Sequence, residues 1–468
     1  PNTAAKSDFA IAIGDNASAT GKSAISMGYK SATNGQVSIA IGEETKVNDS
    51  EGTAVGAGAI VEKRFGAAFG HEAKATKQYA TAIGSGAQGE GEDSQAIGRQ
   101  AQTTGYRAVA VGTLAKALND SAIAIGEYTV ADGTNSIAMG KSSKAHSFDA
   151  IAIGHNNNSR TYSAVSLGTD NTSDATYGLT DAQVAALPYD PTSTATLTDP
   201  RKTDPRRGIT STIAIGRNNV AGNVETIAIG TNTKATMTDA IAIGSRAEAT
   251  GDYALAIGGA AGGYKVAAAG YGTAVGVRAN AAERASAFGA GSNAGSQKSV
   301  AIGYTAKASA QKATSNYEFS GSNGTPSPAG YNTETITVNS GSAPTSGAAS
   351  GNYYDAGSAV AIGDGATVSD ESDRAVVVGA GAKTNGNAHY SVVLGSGSHA
   401  DASDGFVGGH GSYVESRESI AMGSGAHVSG NENIRSQAIG YGAQFLVQVL
   451  MMPQPLVPQH KFLAYKAV

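Results

Sequence analysis

Short alternating segments recur along the chain, and most place a large apolar residue, a small residue and another large apolar residue before a glycine. Ile11-Ala12-Ile13-Gly14 is followed by Ile25-Ser26-Met27-Gly28 and then by Ile39-Ala40-Ile41-Gly42. Alternation with a period of two is typical of β-strands because successive side chains point to opposite faces. Each repeat is therefore predicted to begin with a short strand that ends at the glycine.

This glycine marks a repeat of fourteen residues. Twelve glycines from Gly14 to Gly168 keep that spacing without a break. The later repeat glycines, which bring the total to twenty-five, are Gly216, Gly230, Gly244, Gly258, Gly276, Gly289, Gly303, Gly363, Gly379, Gly395, Gly408, Gly423 and Gly440. Self-similarity at a short fixed period is typical of solenoids, in which each repeat contacts only its neighbours.

Small residues three and five places after the glycine, such as Ala17 and Ala19, predict a second and narrower strand. Turn formers seven places after it, such as Gly21 and Gly35, predict a corner, since glycine tolerates left-handed backbone. Two strands and two corners make one flattened coil, and stacked coils pair as parallel strands. None of the eleven prolines falls inside a regular repeat, which agrees with their inability to donate a ladder hydrogen bond. We predict an all-β parallel solenoid of about twenty-five coils.

The alternation also predicts an inner and an outer face for the first strand. We expect the large residue before the glycine to point inward and the small residue before that to form an exposed stripe, which sister chains cover. The predicted core residues are Ile13, Ile41, Ile125, Ile153, Ile215, Ile243 and Ile302. The residues predicted to pack between chains are Ala12, Ala40, Ala54, Ala68, Ala124, Ala138, Ala214, Ala228 and Ala242. Less regular packing is expected from about 364 to 408, where Val377, Val393 and Phe406 stand in place of the alanine.

Three segments resemble a known family most closely: Asn135 to Gly140 with Ser143, Ser299 to Gly303 with Ala306, and Ser38 to Gly42. They are similar to the repeat of the head domain of trimeric autotransporter adhesins of the YadA type, and nearly all of residues 7–443 shares the pattern apart from two insertions. The resemblance implies a left-handed parallel β-roll and a homotrimer. It also implies display on the outer membrane of a Gram-negative bacterium and attachment to host matrix proteins such as collagen, fibronectin or laminin, or to other cells. The repeat motif is connected with collagen binding in that family, which carries over to Ser38, Ser136, Ser143 and Ser299.

No neck, heptad stalk or membrane anchor is recognised, so the chain is expected to be a head alone, with any C-terminal anchor outside it. The parts predicted along the chain are regular repeats at 1–168, an insertion at 169–211, repeats at 212–303, an insertion at 304–357, less regular repeats at 358–443 and a tail at 444–468. A capping-box spacing from Thr180 to Gln183 predicts a short helix in the first insertion. The second insertion is rich in Ser, Gly and Tyr, and it is either a binding element or a solvated loop. Its candidate contact residues are Tyr317, Tyr331, Tyr353 and Tyr354.

Lysines recur four places after the repeat glycine and are predicted to form one outward column, which either binds a polyanion or is simply solvated. They are Lys46, Lys74, Lys116, Lys144, Lys234, Lys307 and Lys383. His399 and His427 share this column two coils apart, a separation of about 10 Å that is too long for joint metal ligation. The runs His155 to Asn158 and Arg217 to Asn219 predict a structural asparagine ladder.

Composition excludes several functions. The 468 residues include 63 Gly but no Cys and no Trp, so thiol chemistry and disulfides are excluded. A net charge of −5 gives no general attraction for nucleic acid. No nucleophile elbow, phosphate loop or calcium repeat occurs, and we expect no cofactor, no metal and no enzyme activity. The alternatives are a structural spacer of a surface fibre, a hexapeptide-type acyltransferase, which needs longer coils, and an ice-binding solenoid, which needs a Thr-rich face.

Overall fold

The computed structural model describes residues 2–174, 211–260, 265–308, 358–370, 372–386, 388–430 and 435–446, and none of these residues is helical. The chain divides into two compact units, Pro1–Ile257 and Gly258–Val468, and each is a parallel β-solenoid. Together the units hold about twenty-five coils of about fourteen residues, which confirms the predicted fold class. The helix predicted near residues 180–187 lies outside the described residues.

In the first unit every coil contributes one strand to a long-strand sheet and one to a short-strand sheet, and strands of successive coils pair in parallel with a shift of one repeat. The strands of the long-strand sheet are Ile11–Ile13, Ile25–Met27, Ile39–Ile41, Thr53–Val55, Ala67–Phe69, Thr81–Ile83, Gln95–Ile97, Val109–Val111, Ile123–Ile125, Ile137–Met139, Ile151–His155, Val165–Thr169, Ile213–Arg217, Ile227–Thr231, Ile241–Ser245 and Leu255–Ile257. Those of the short-strand sheet are Ala4–Ala5, Ser18–Ala19, Ala32–Thr33, Lys46–Val47, Ile60–Val61, Lys74–Ala75, Gln88–Gly89, Gln102–Thr103, Lys116–Ala117, Val130–Ala131, Lys144–Ala145, Asn158–Ser159, Thr172–Ser173, Val220–Ala221, Lys234–Ala235 and Glu248–Ala249.

The second unit repeats this arrangement. Its long-strand sheet contains Thr273–Val275, Ser286–Phe288, Val300–Ile302, Val360–Ile362, Val376–Val378, Val392–Leu394, Phe406–Gly408, Ile420–Met422 and Gln437–Ile439. Its short-strand sheet contains Ala267–Ala268, Asn280–Ala281, Asn293–Ala294, Lys307–Ala308, Thr367–Val368, Lys383–Thr384, His399–Ala400, Tyr413–Val414, His427–Ser429 and Gln444–Leu446.

The interior of each coil is filled by four small side chains, two from each half of the coil. In one coil of the first unit these are Ala73, Ala75, Ala80 and Ala82, and all four are fully buried. A layer lined by methyl groups is thin, so the two sheets approach closely and leave no space for a branched side chain at most positions. The core is therefore four parallel columns of small residues.

The predicted inner and outer faces of the long-strand sheet are reversed in the structure. The side chains predicted to form the core lie outside, with Ile13 54% and Ile125 37% exposed, and Ile41, Ile153, Ile215, Ile243 and Ile302 exposed or half-buried. The alanines predicted to pack against sister chains fill the interior of their own coil instead: Ala40, Ala54, Ala68, Ala124, Ala138, Ala214, Ala228 and Ala242 are fully buried, and Ala12 in the first coil is half-buried. The physical reason is the thin core, which accepts the alanine and turns its two large neighbours outward.

In one coil of the first unit a larger residue enters the core, and a glycine stands next to it. Val61 takes a place that is alanine in the following coil, and Gly66 takes the place of Ala80. A Cβ on Gly66 would lie 2.6 Å from Cγ1 of Val61, closer than real atoms approach. In this coil the glycine thus makes room for the larger valine.

We expect strong coupling between these two positions. Gly66→Ala alone should cost about 1–3 kcal/mol because it overpacks the coil against Val61, and Val61→Ala alone should cost about 1–2 kcal/mol through the cavity it leaves. The double variant recreates the Ala75 and Ala80 arrangement of the next coil and should recover most of the native stability. Urea unfolding of the four proteins measures this, and Val414→Ala in the second unit is the additive control. Additivity of Gly66→Ala and Val61→Ala within about 0.5 kcal/mol would contradict the packing account.

One predicted repeat glycine is wrong by a single position. Leu394 pairs with Gly408, so Gly408 occupies the place of the large outward residue and Val407 is the buried middle residue of its strand. The glycine that closes this repeat is Gly409, with φ of 134°. Phe406 is therefore a half-buried outward residue, not a substitute for the inward alanine.

The predicted asparagine ladder is confirmed as a structural element of the first unit. Asn157, Asn171 and Asn219 are fully buried and stack inside successive coils. The side-chain amide of Asn157 donates to the carbonyl of Gly168 at 2.7 Å, and Oδ1 of Asn157 accepts from the backbone N–H of Asn171 at 3.0 Å. The long strands of these coils are five residues long, and the asparagine amides bridge the corners that follow them.

Candidate functional site

The outward side of the long-strand sheet is apolar in both units, and we call it the aliphatic face. Its residues flank the inward middle residue of each strand, as Ile123 and Ile125 flank Ala124. The large apolar residues exposed on this face in the first unit are Ile11, Ile13, Ile41, Phe69, Ile83, Ile125, Met139 and Ile153. Those in the second unit are Phe288, Ile302, Ile362, Leu394, Met422 and Ile439.

Such a face is unusual for a chain that stands alone. Parallel sheets are normally covered on both sides, and monomers seldom expose long continuous apolar surfaces. The aliphatic face has two columns, one of the residues that begin the strands and one of the residues next to the glycine. In the first unit polar residues interrupt the first column at Thr53, Thr81 and Gln95, whereas the column next to the glycine is apolar throughout. The aliphatic face therefore has the properties of an interface.

The lysine column lies on the opposite side of the coil, where it was predicted. Lys46, Lys144, Lys234 and Lys383 are exposed and Lys74, Lys116 and Lys307 are half-buried. Each pairs along the short-strand sheet with an outward neighbour, as Lys116 does with Gln102 and Val130. Nζ of Lys307 lies 3.3 Å from Oδ1 of Asp370, so one lysine of this column has a carboxylate partner.

The four serines expected to contact a ligand are buried, and this expectation is wrong. Ser38, Ser136, Ser143 and Ser299 point into the coil. Their hydroxyls donate to backbone carbonyls at the corners: Ser136 to Gly133 at 2.6 Å, Ser143 to Gly154 at 2.9 Å and Ser299 to Ser296 at 2.6 Å. A buried hydroxyl needs such a partner, so these serines hold corners instead of meeting a ligand.

The candidate tyrosines of the second insertion, Tyr317, Tyr331, Tyr353 and Tyr354, lie outside the described residues. The coils on either side of that insertion stack directly on each other, since Val300 pairs with Val360. In the first unit Val165 likewise pairs with Ile213 across the other insertion. Each insertion therefore lies in sequence between two coils that still pair directly, so the parallel strand pairing of the solenoid is not interrupted.

Three stacked rings form what we call the ring ladder on the short-strand sheet of the second unit. The ring centroids of His399 and Tyr413 are 4.9 Å apart with planes 5° from parallel, and those of Tyr413 and His427 are 4.9 Å apart at 6°. The two histidines thus share a column, as predicted, with Tyr413 between them. His410 lies at the corner next to Gly409, away from this column.

Carboxylates lie beside the ring ladder. Oδ1 of Asp401 is 4.0 Å from Nε2 of His399 and accepts a hydrogen bond from the amide of Asn385 at 2.7 Å. Burial raises the pKa of the Tyr413 phenol, and the nearby charges of Glu415 and Asp401 raise it further. The phenol is therefore a neutral donor at physiological pH, in a place of negative potential.

Sequence reasoning missed the ring ladder and the aliphatic face. Tyr413 lies four places after Gly409, the position of the outward column, but counting from Gly408 places it five after the glycine, an inward position. The adjacent glycines concealed the correct register. The aliphatic face was missed because alternation shows two faces without showing which one is inside.

No helix in the described ranges is long and apolar enough to cross a membrane. Nor do the described ranges contain a group of three or more acidic or histidine side chains arranged to hold a metal ion. A protein-family model described as the YadA head domain repeat (2 copies) matches residues 5–31, 34–59, 66–87, 90–115, 117–143, 210–233, 235–261 and 294–315. No individual curated protein matches the chain.

Proposed function

Because the chain belongs to the family of YadA-like adhesin heads, we propose that it attaches a Gram-negative bacterium to host extracellular matrix, to host cells or to other bacteria. The function is adhesive and non-catalytic, and it places the head at the cell surface. The observation that carries the proposal is the match of the family model to repeats in both units, on coils whose register the structure shows.

The aliphatic face supports assembly of three identical chains. In a homotrimer the three long-strand sheets turn toward a common axis, and residues such as Ile125 and Met139 cover one another. Full burial of one such side chain is worth roughly 1.5–3 kcal/mol, so the partial burial still available at each coil adds up over the length of a unit. The polar short-strand sheets and both corners then face outward, where a ligand meets them.

The second insertion supports recognition of matrix proteins such as collagen, fibronectin or laminin. It carries Tyr317, Tyr331, Tyr353 and Tyr354, and tyrosine is enriched at energetically important contacts. Its ends lie between stacked coils, so it is added without disturbing the scaffold. The lysine column, with Lys46, Lys74, Lys116 and Lys144, is the second surface open to a ligand.

A deletion separates these surfaces. Removing residues 311–356 takes out the 46 residues in excess of one fourteen-residue repeat between Gly303 and Gly363. We expect the deletion to lower attachment of beads carrying the protein to at least one of collagen, fibronectin and laminin by at least tenfold, with the coils intact by circular dichroism. The matched control removes residues 176–209, the 34 excess residues between Gly168 and Gly216, and should leave that attachment unchanged.

The outcomes distinguish the alternatives. Unchanged attachment after deletion of 311–356 assigns recognition to the coils and contradicts the role of the insertion. Failure of the full chain to attach to any matrix protein, to host cells or to bacteria would contradict the adhesive function and favour a structural spacer.

A further inference from the structure

We infer that the ring ladder of the second unit, with Asn385, Asp401 and Glu415 beside it, binds an extended neutral polysaccharide. This inference rests on the proposed adhesive function for its setting and names a ligand class at a surface separate from the insertion.

The first support is the set of polar groups that the ladder presents. The rings of His399, Tyr413 and His427 cover one another's faces, so a ligand meets their edges, which carry the imidazole nitrogens and the phenol oxygen. The neighbouring column presents the Asn385 amide and the carboxylates of Asp401 and Glu415. Two adjacent columns of donors and acceptors on a flat surface match a ligand that carries a hydroxyl on either side of each unit.

The second support is the spacing. Successive rungs are 4.9 Å apart, and an extended β-linked glycan advances by a similar length with each sugar. Consecutive sugars thus meet consecutive rungs over the length of the ladder. Because stacking fixes all three rings before the ligand arrives, binding loses little side-chain entropy.

The third support is the charge, which disfavours polyanions. Lys383 precedes His399 in the column, but the carboxylates of Asp401 and Glu415 lie beside the rings, and their charges add to the effect of burial in raising the pKa of the Tyr413 phenol. A sulfated or phosphorylated chain would be repelled there, whereas a neutral glycan accepts from the phenol and imidazole N–H groups and donates to the carboxylates.

Two measurements on the full chain test the inference. The probes are hexasaccharides of β-1,4-linked glucose and of β-1,4-linked N-acetylglucosamine, with a heparin hexasaccharide as the anionic counterpart. In titration calorimetry a neutral hexasaccharide should bind, and a disaccharide of the same sugar should bind at least tenfold more weakly. The neutral hexasaccharide should also lower the modification of His399 and His427 by diethyl pyrocarbonate, measured by mass spectrometry, while the modification of His71 and His155 is unchanged.

Tyr413→Ala is the decisive variant. We expect it to fold as the native chain does, because Ala32 and Ala267 occupy the same column in other coils. It should weaken glycan binding at least tenfold, whereas Tyr390→Ala, which removes an exposed corner tyrosine of the same unit, should have no effect. The inference is overturned if neither neutral hexasaccharide protects the two histidines, if Tyr413→Ala binds as the native chain does, or if heparin binds more tightly. Attachment of Tyr413→Ala to matrix proteins is measured in parallel, so that loss of glycan binding alone leaves the proposed function standing.

Discussion

Gly84→Ala should destabilise the first unit by about 3–5 kcal/mol, the range of severe single substitutions. The φ of Gly84 is 129°, a backbone conformation that is almost confined to glycine. An added Cβ would lie 2.4 Å from the carbonyl oxygen of Gly98 in the next coil, and that backbone is fixed by its own ladder. Strain and overlap thus act together, and the thermal unfolding midpoint measured by circular dichroism should fall sharply.

Gly86→Asn is the matched control two residues away. Gly86 also has a positive φ, of 67°, but its place is taken by Asn16 in another coil with φ of 56°. The control should change the midpoint by no more than about 2 °C, as expected for a substitution worth less than 0.5 kcal/mol. A Gly84→Ala protein as stable as this control would contradict the close stacking of the glycine backbones.

Ile125→Lys combined with Met139→Lys should convert the assembled protein into single chains. The two residues pair in adjacent strands of the aliphatic face, and both are more than a third exposed in the isolated chain. A threefold assembly would bring six lysines into one apolar layer, where unpaired charges are strongly unfavourable. Because both side chains point away from the coil interior, the solenoid itself should stay folded.

Light scattering coupled to size-exclusion chromatography measures this loss of mass, and circular dichroism shows that the coils persist. Lys116→Glu, on the short-strand sheet of the same region, is the control and should leave the mass unchanged. If the double lysine variant keeps the native mass, the aliphatic face is not the interface.

Much of the fold follows from the sequence because the repeat is short and regular. The spacing of the glycines fixes the coil length, and the outward column of Lys46 and Lys116 follows directly from that register. The second strand is also predicted by its small residues. These features depend only on the spacing of residues within the repeat, and one sequence is enough to show that spacing.

Which side chains of the long strands point into the coil depends on the thickness of the core, and no single position of the repeat reveals that thickness. Large residues such as Ile125 normally fill a core, and this expectation places Ala124 outside. The decisive signal lies in the other half of the coil, where Ala117 and Ala122 are also small, so that all four inward positions of this coil hold small residues. Reading all four columns together predicts the thin interior that the structure has.

The irregular part of the chain shows a second limit. Val377 and Val393 are fully buried where the repeat lengthens to sixteen residues, from Gly363 to Gly379 and to Gly395. Val407 is fully buried too, in the repeat from Gly395 to Gly409, which keeps fourteen residues, so repeat length does not predict the size of the inward side chain. Consecutive glycines at 408 and 409 leave the register ambiguous in the sequence, and the pairing of Leu394 with Gly408 resolves it.

Sedimentation equilibrium of the unmodified chain tests the central claim, that sister chains cover the outward isoleucines. Three chains predict a mass three times the 46.5 kDa of one chain, unchanged on dilution into the nanomolar range. A soluble species of 46.5 kDa that stays folded at these concentrations would show that the aliphatic face tolerates water, and it would contradict the assembly on which the adhesin proposal depends.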